Sequence, residues 1–165
     1  MEKLPTRDEI CAVLDYDPKT GIFRWKKRVA YRVYVGDVAG SVHSLGYRCL
    51  RIKDRSLRAN RVAWLIMTGE WPPKGFRVDH KDRNKANDRW RNLRLATHAQ
   101  NRANSKSSAK SGFKGVVKTR FGRYAARITF NKKNIHIGNF LTPEEAHAAY
   151  MKVARRLHGE FARAS

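Results

Sequence analysis

The sequence predicts an α+β protein in two modules. The first is a β-rich region that leads into a strand–loop–strand–helix unit. The second is a small three-stranded antiparallel sheet packed on one helix. Three observations predict this. Apolar residues alternate at a strand period in some stretches and at a helical period in others. Three capping boxes mark helix starts: Thr6 with Glu9, Thr97 with Gln100, and Thr142 with Glu145. Between Asn104 and Gly112 the chain is rich in Ser and Lys and poor in apolar side chains, as linkers are. The expected division is therefore 1–104, a linker at 105–111, and 112–165.

The elements follow in order. Thr6 opens a short helix whose apolar face is Ile10, Val13 and Leu14, ended before Asp17-Pro18. "GIFRWKK" is a strand carrying Ile22, Phe23 and Trp25, and "GDVAGSVHSLGYRCLRIK" is a hairpin that turns near Gly46. "RANRVAWLIMTGEWPP" returns to helical spacing through Val62, Leu65 and Ile66, and Gly69 with Pro72-Pro73 stops it. Phe76 and Val78 then form a short strand that delivers Asp79 and His80 at its end. A polar stretch from Arg83 to Arg91 precedes a second strand through Leu93 and Leu95, and the Thr97 box opens a helix through Asn101 and Arg102. Beyond the linker come three alternating runs. In the middle one Tyr124, Ala126, Ile128 and Phe130 face one way, and Arg123, Ala125, Arg127 and Thr129 the other. The last helix, opened by Thr142 and Pro143, presents a stripe of mostly small residues from Ala146 to Leu157.

Charge narrows the partner. The chain has 165 residues, 36 Lys+Arg against 14 Asp+Glu, and a formal net charge of +22. A polyanion relieves such self-repulsion, and nucleic acid fits best. From Arg89 to Pro143 there is no Asp or Glu but there are 13 Lys or Arg, in a stretch patterned to fold. A membrane partner is not expected, because no apolar run approaches the ~20 residues of a spanning helix. No secretory signal is visible, and Cys11 and Cys49 lack metal spacing, so a reduced cytosolic protein with buried thiols is expected.

The chemistry concentrates in "VDHKDRNKANDRWRNLRLATHAQNRAN", Val78 to Asn104. Phosphodiester hydrolysis needs an activated water and a means to stabilise the leaving oxygen. A neutral imidazole can take the proton, and a hard cation held by carboxylate and amide oxygens can neutralise the phosphate. His80 and Asp79 supply the first groups, Asn101 a possible carbonyl ligand, and Asn92 a tie for the long loop. Neighbouring strand residues point to opposite faces, so the joint use of Asp79 and His80 requires a strand end or bend.

The pattern "VDH", then "NLR" thirteen residues after Asp79, then "QN" eight to nine further on, resembles the HNH endonucleases, in particular phage and intron-encoded homing nucleases. "DYDPKTGIFRWK", "GYRCLRI" and "ANRVAWLIMTGEWP" extend the likeness to roughly residues 15–104. The resemblance implies a ββα-metal core, with His80 as general base, Asn92 as the central structural Asn, and Asp79 and Asn101 as ligands of Mg²⁺ or Mn²⁺. It also implies cleavage to 5′-phosphate and 3′-hydroxyl ends; double-stranded DNA as partner, no small-molecule cofactor, a monomer, and a place in bacterial or phage-infected host cytoplasm are expected. Many relatives have His where this chain has Asn60. Arg94 and Arg102 are expected to contact DNA around this site.

"GFKGVVKTRFGRYAARITFNKKNIHIGNFLTPEEAHAAYMKVARRLHGEFA" looks like the ethylene-response-factor type DNA-binding domain of plant transcription factors. That likeness implies a sheet laid with its outer face in the major groove. Lys114, Lys118, Arg120, Arg123 and Arg127 are the expected DNA contacts, Arg being suited to guanine edges and phosphate. The expected function is a metal-dependent endonuclease directed by this second module. The alternative is a DNA-binding regulator that keeps the first module as a scaffold.

Overall fold

The computed structural model describes residues 4–106, 109, 111–131 and 133–163. Residues 107, 108 and 110 of the expected linker, and Lys132 of the last expected turn, lie outside the described residues. The chain divides into two compact units, Met1–Leu95 and Ala96–Ser165.

The first unit begins with α1, Arg7–Cys11, whose Thr6–Glu9 capping box forms. It is shorter than the spacing predicts. Leu14, expected on the helix, instead opens β1, Leu14–Asp17, and pairs with Trp25 of β2, Ile22–Trp25. The alternation of β1 turns Leu14 and Tyr16 into the core, a use of the segment that local helix signals could not weigh. Next come β3, Ser41–Val42, β4, Arg48–Ile52, and β5, Arg55–Arg58, in an antiparallel sheet ordered β3-β4-β5. The third strand was not expected, because "DRSLR" is short and polar.

The helix α2, Ala59–Thr68, closes on Gly69 in the left-handed region at φ 87°. β6, Phe76–His80, pairs with β7, Leu93–Thr97, in a two-stranded sheet, with a 3-10 turn at Trp90–Asn92 between them. Ile10, Phe23, Leu50, Val62 and Leu65 fill one core with Val78 and Leu93.

The second unit holds α3, His98–Asn104, with the Thr97–Gln100 capping box formed. Its sheet is β8, Val116–Lys118, β9, Tyr124–Phe130, and β10, Lys133–Phe140, antiparallel and ordered β10-β9-β8. The helix α4, Pro143–His158, carries the third capping box and buries Ala146, Tyr150 and Ala154 against Val116, Ala126 and Ile128. The small residues expected as a stripe allow helix and sheet to come close. Gly115 marks the tightest point: φ is 73°, and an added Cβ would lie 2.1 Å from the Tyr150 ring. The helix α3 groups with this unit. Ala96 and Ala103 pack on Phe161, seated on a final 3-10 turn, Gly159–Phe161. Among the described residues no helix is long and apolar enough to cross a membrane.

Candidate active site

The site is built at the end of β6, where Val78, Asp79 and His80 are all buried. Burying two consecutive ionisable side chains requires a partner for each, and they take different ones. The His80 Nε2–H donates to Asp88 Oδ1 at 2.9 Å, with the two residues only 4% and 1% exposed. The Arg94 Nε–H, reaching across from β7, donates to Asp79 Oδ2 at 3.0 Å.

Asp88 is held from outside the motif. Its backbone carbonyl accepts the Tyr16 hydroxyl at 2.7 Å. Trp90 N–H donates to the Pro18 carbonyl at 3.0 Å, and the Trp90 ring lies 5.2 Å from that of Trp64. The turn between β1 and β2 presses on the same segment: a Cβ on Gly21, at φ 75°, would lie 2.4 Å from Arg89 N. Burial, with the Asp88 charge adding to it, pushes the Tyr16 phenol above its usual range, so the hydroxyl stays a donor. The N-terminal hairpin is thus the brace that sets the carboxylate facing His80.

Asn92 organises the intervening loop. Its Nδ2 donates to Asp82 Oδ1 at 2.9 Å and to the Asn87 carbonyl at 2.8 Å, and its Oδ1 accepts Asp82 N–H at 3.0 Å. Burial would raise the Asp82 carboxyl. Hydrogen bonds from Asn87, Asn92 and the Asn84 backbone outweigh it and hold the group below the usual carboxylate range. Asn60 sits behind β6, where its Nδ2 donates to the Val78 carbonyl at 2.9 Å and ties α2 to the residue before Asp79.

The structure treats the remaining expected residues unequally. Asn101 lies on α3, in the second unit. Arg94, expected on the DNA-facing surface, is only 8% exposed and faces Asp79. Lys114, expected as a DNA contact, instead caps α3. Its ammonium donates to the carbonyls of Arg102, Ala103 and Ser105 at 2.6–2.8 Å. These are end-of-helix acceptors that need a donor. Arg102, Lys118, Arg120, Arg123 and Arg127 are exposed, and Arg120 lies over the Phe121 ring at 4.7 Å. Arg123 and Arg127 line a shallow concavity on the outer face of the sheet, floored by Ala125.

Sequence reasoning missed Asp88. It lies eight residues after His80 in a polar loop, where no period or motif spacing singles it out, and only its acid character in a basic stretch was visible.

Among the described residues no three His, Cys, Asp or Glu gather as a metal cage. Mg²⁺ does not ask for one: it takes one or two carboxylates and leaves the rest to water and substrate phosphate. Asp79, the buried carboxylate that precedes His80 in the chain, is a hard oxygen donor of the kind such an ion takes, and Asp88 Oδ2 is buried without a hydrogen-bond partner.

The family model described as HNH endonuclease matches residues 58–103. An uncharacterized HNH endonuclease of Acanthamoeba polyphaga mimivirus is 41% identical over 98 residues, 59% of this chain and 51% of that protein. Protein 3.8 of Escherichia phage T7 is 36% identical over 96 residues, 55% of this chain and 77% of that protein. An ethylene-responsive transcription factor of Arabidopsis thaliana is 42% identical over 69 residues, 41% of this chain and 20% of that protein. The chain thus spans about half the length of the mimivirus relative and a fifth of the plant one. No solved structure matches.

Proposed function

We propose that the chain, which carries an HNH endonuclease domain over residues 58–103, hydrolyses DNA phosphodiester bonds, with His80 as general base and Asp88 as the group that orients it. The buried His80–Asp88 pair carries the reading. A carboxylate only accepts, so Nε2 holds the proton in this arrangement and basicity falls on Nδ1. Asp88 fixes the ring and steadies the cation that forms when a water proton is taken, the part a third group plays in other base-orienter pairs. Asn92 and Asp82 keep the loop carrying Asp88 in place. Asp79 is the carboxylate that would hold Mg²⁺ or Mn²⁺, and Arg94 orients it. The bound ion would supply neutralisation of the charge gathering on the phosphate and leaving oxygen.

The exposed arginines of the second unit's sheet support a site-directing role, as does the likeness to a plant transcription factor. A second DNA-binding surface on the same chain raises the local concentration of the nuclease once it is bound. The homing-type use follows from the family resemblance and concerns where the element moves, not how the bond breaks.

The test is nicking of supercoiled plasmid with Mg²⁺, with and without chelator. His80→Ala is expected to lower the rate by roughly 10²–10⁴-fold with DNA affinity nearly unchanged, since the base acts on water. Asp88→Asn, which keeps size but loses the charge, is expected to fall at least about 10²-fold. Nicking by His80→Ala at the unaltered rate would sink the reading.

A further inference from the structure

Beside His80 stands a group of side chains that the nuclease reading leaves unused. The Tyr47 ring, at the end of the β3–β4 turn, lies 6.0 Å from the His80 ring. Two cations share that tyrosine: the Arg58 guanidinium is 4.3 Å from its centroid and the Lys85 ammonium 4.9 Å. Lys85 is steadied further by donating to the Leu45 carbonyl at 3.0 Å. Three separate elements supply these residues: the β3–β4 turn, the end of β5, and the loop after β6. Both cations are exposed, and among the described residues neither is paired with a carboxylate.

An exposed Arg and an exposed Lys gain little from meeting on a surface, because like charges repel. An aromatic face offsets that cost and fixes where each cation sits. Cations held on a ring that itself lies 6.0 Å from a general base suit what a phosphodiester demands. Its charge grows as water attacks, and preorganised donors stabilise that growth without reorganising. The guanidinium can bind two phosphate oxygens at once, and the ammonium acts as a point charge.

We infer that Arg58 and Lys85, stacked on Tyr47, form a phosphate clamp that seats a backbone phosphate of bound DNA beside His80, with Tyr47 as the positioning residue. This rests on the nuclease reading. Arg58 and Lys85 would touch substrate, whereas Tyr47 acts through them.

Two measurements on the full chain decide it. In a His80→Ala background, binding to a DNA duplex is followed against salt. Arg58→Ala with Lys85→Ala is expected to flatten the slope of log K against log salt by about 0.9, the counterion equivalent of one lost phosphate contact. An unchanged slope overturns the clamp. In the chain that keeps His80, Tyr47→Leu leaves every charge in place and removes the ring. It is expected to lower kcat for plasmid nicking roughly tenfold with KM little moved, since a misplaced phosphate costs rate. Tyr47→Phe is expected to recover most of that loss. If Tyr47→Phe is as poor as Tyr47→Leu, the ring is not the platform and the proposal fails. If Tyr47→Leu does not fold, Tyr47→Phe and the salt slope still decide. Failure of the unaltered protein to nick refutes the nuclease reading itself, and the salt slope then judges the clamp alone.

Discussion

Arg94 shows how far a residue's place departs from its type. In a chain of net charge +22, an arginine inside the most basic stretch reads as a nucleic-acid contact. Folded, it is buried and donates to Asp79, and the pair makes sense only together. Removing one partner of a buried pair leaves the other charge dry, which typically costs about 3–5 kcal/mol. Arg94→Ala is therefore expected to lower the stability of the first unit by about 3 kcal/mol in urea titration. The salt slope of DNA binding should not change. A flattened slope with unaltered stability would return Arg94 to the surface role. Lys114 makes the same point in the second unit, where its charge is spent on three helix-end carbonyls.

Among the elements, the capping boxes formed where the sequence placed them, at Thr6, Thr97 and Thr142, because each is a contact within four residues. Helix-on-sheet packing in the second unit rests on a backbone position. Gly115 has φ 73°, its carbonyl accepts Arg127 N–H at 2.8 Å, and it leaves no room for a Cβ under Tyr150. Gly115→Ala combines left-handed strain with a clash against ring and backbone. It is expected to destabilise the second unit by about 2–3 kcal/mol, read as a lower thermal midpoint, with first-unit unfolding unaltered. A loss under about 0.5 kcal/mol would show that α4 can shift away from the sheet.

At the scale of the whole molecule, the compact units divide at Leu95 and Ala96, ahead of the linker expected from composition. The Ala103–Phe161 packing and the Lys114 cap tie α3 to the second unit. A fragment 96–165 is therefore expected to melt at a higher temperature than 112–165, which lacks α3 and leaves Phe161 uncovered. Equal midpoints would show that α3 adds nothing there. The same unit has a pH sensitivity. Burial, with the Lys114 charge adding to it, holds the His158 imidazole below the ordinary histidine range. The unfolded chain then takes up a proton first as pH falls. The His158 contribution is complete above roughly pH 6.5 and declines as pH drops toward the folded value. Thermal melts from about pH 7.5 to about pH 5.5 should fall more steeply for the unaltered protein than for His158→Gln. Parallel curves would discharge His158.

What the sequence determined by itself is what contacts between chain neighbours determine. The alternation of Tyr124, Ala126 and Ile128, the start of α4 at Thr142 and the stop of α2 at Gly69 each depend on a few adjacent residues. The placing of Asp79, His80 and Asn92 on a strand–loop–strand was legible for the same reason, being one short span with recognisable spacing. The tertiary structure alone decided the rest. Leu14 left its helix because a strand partner lay eleven residues away at Trp25. Arg94 turned inward because a carboxylate waited across the sheet. Asp88 became the partner of His80 because Tyr16, Pro18 and Gly21, some seventy residues earlier, hold its backbone in place. Such positions carry no local signal, since the energy that selects them comes from burial and hydrogen bonds that exist only once distant segments have met.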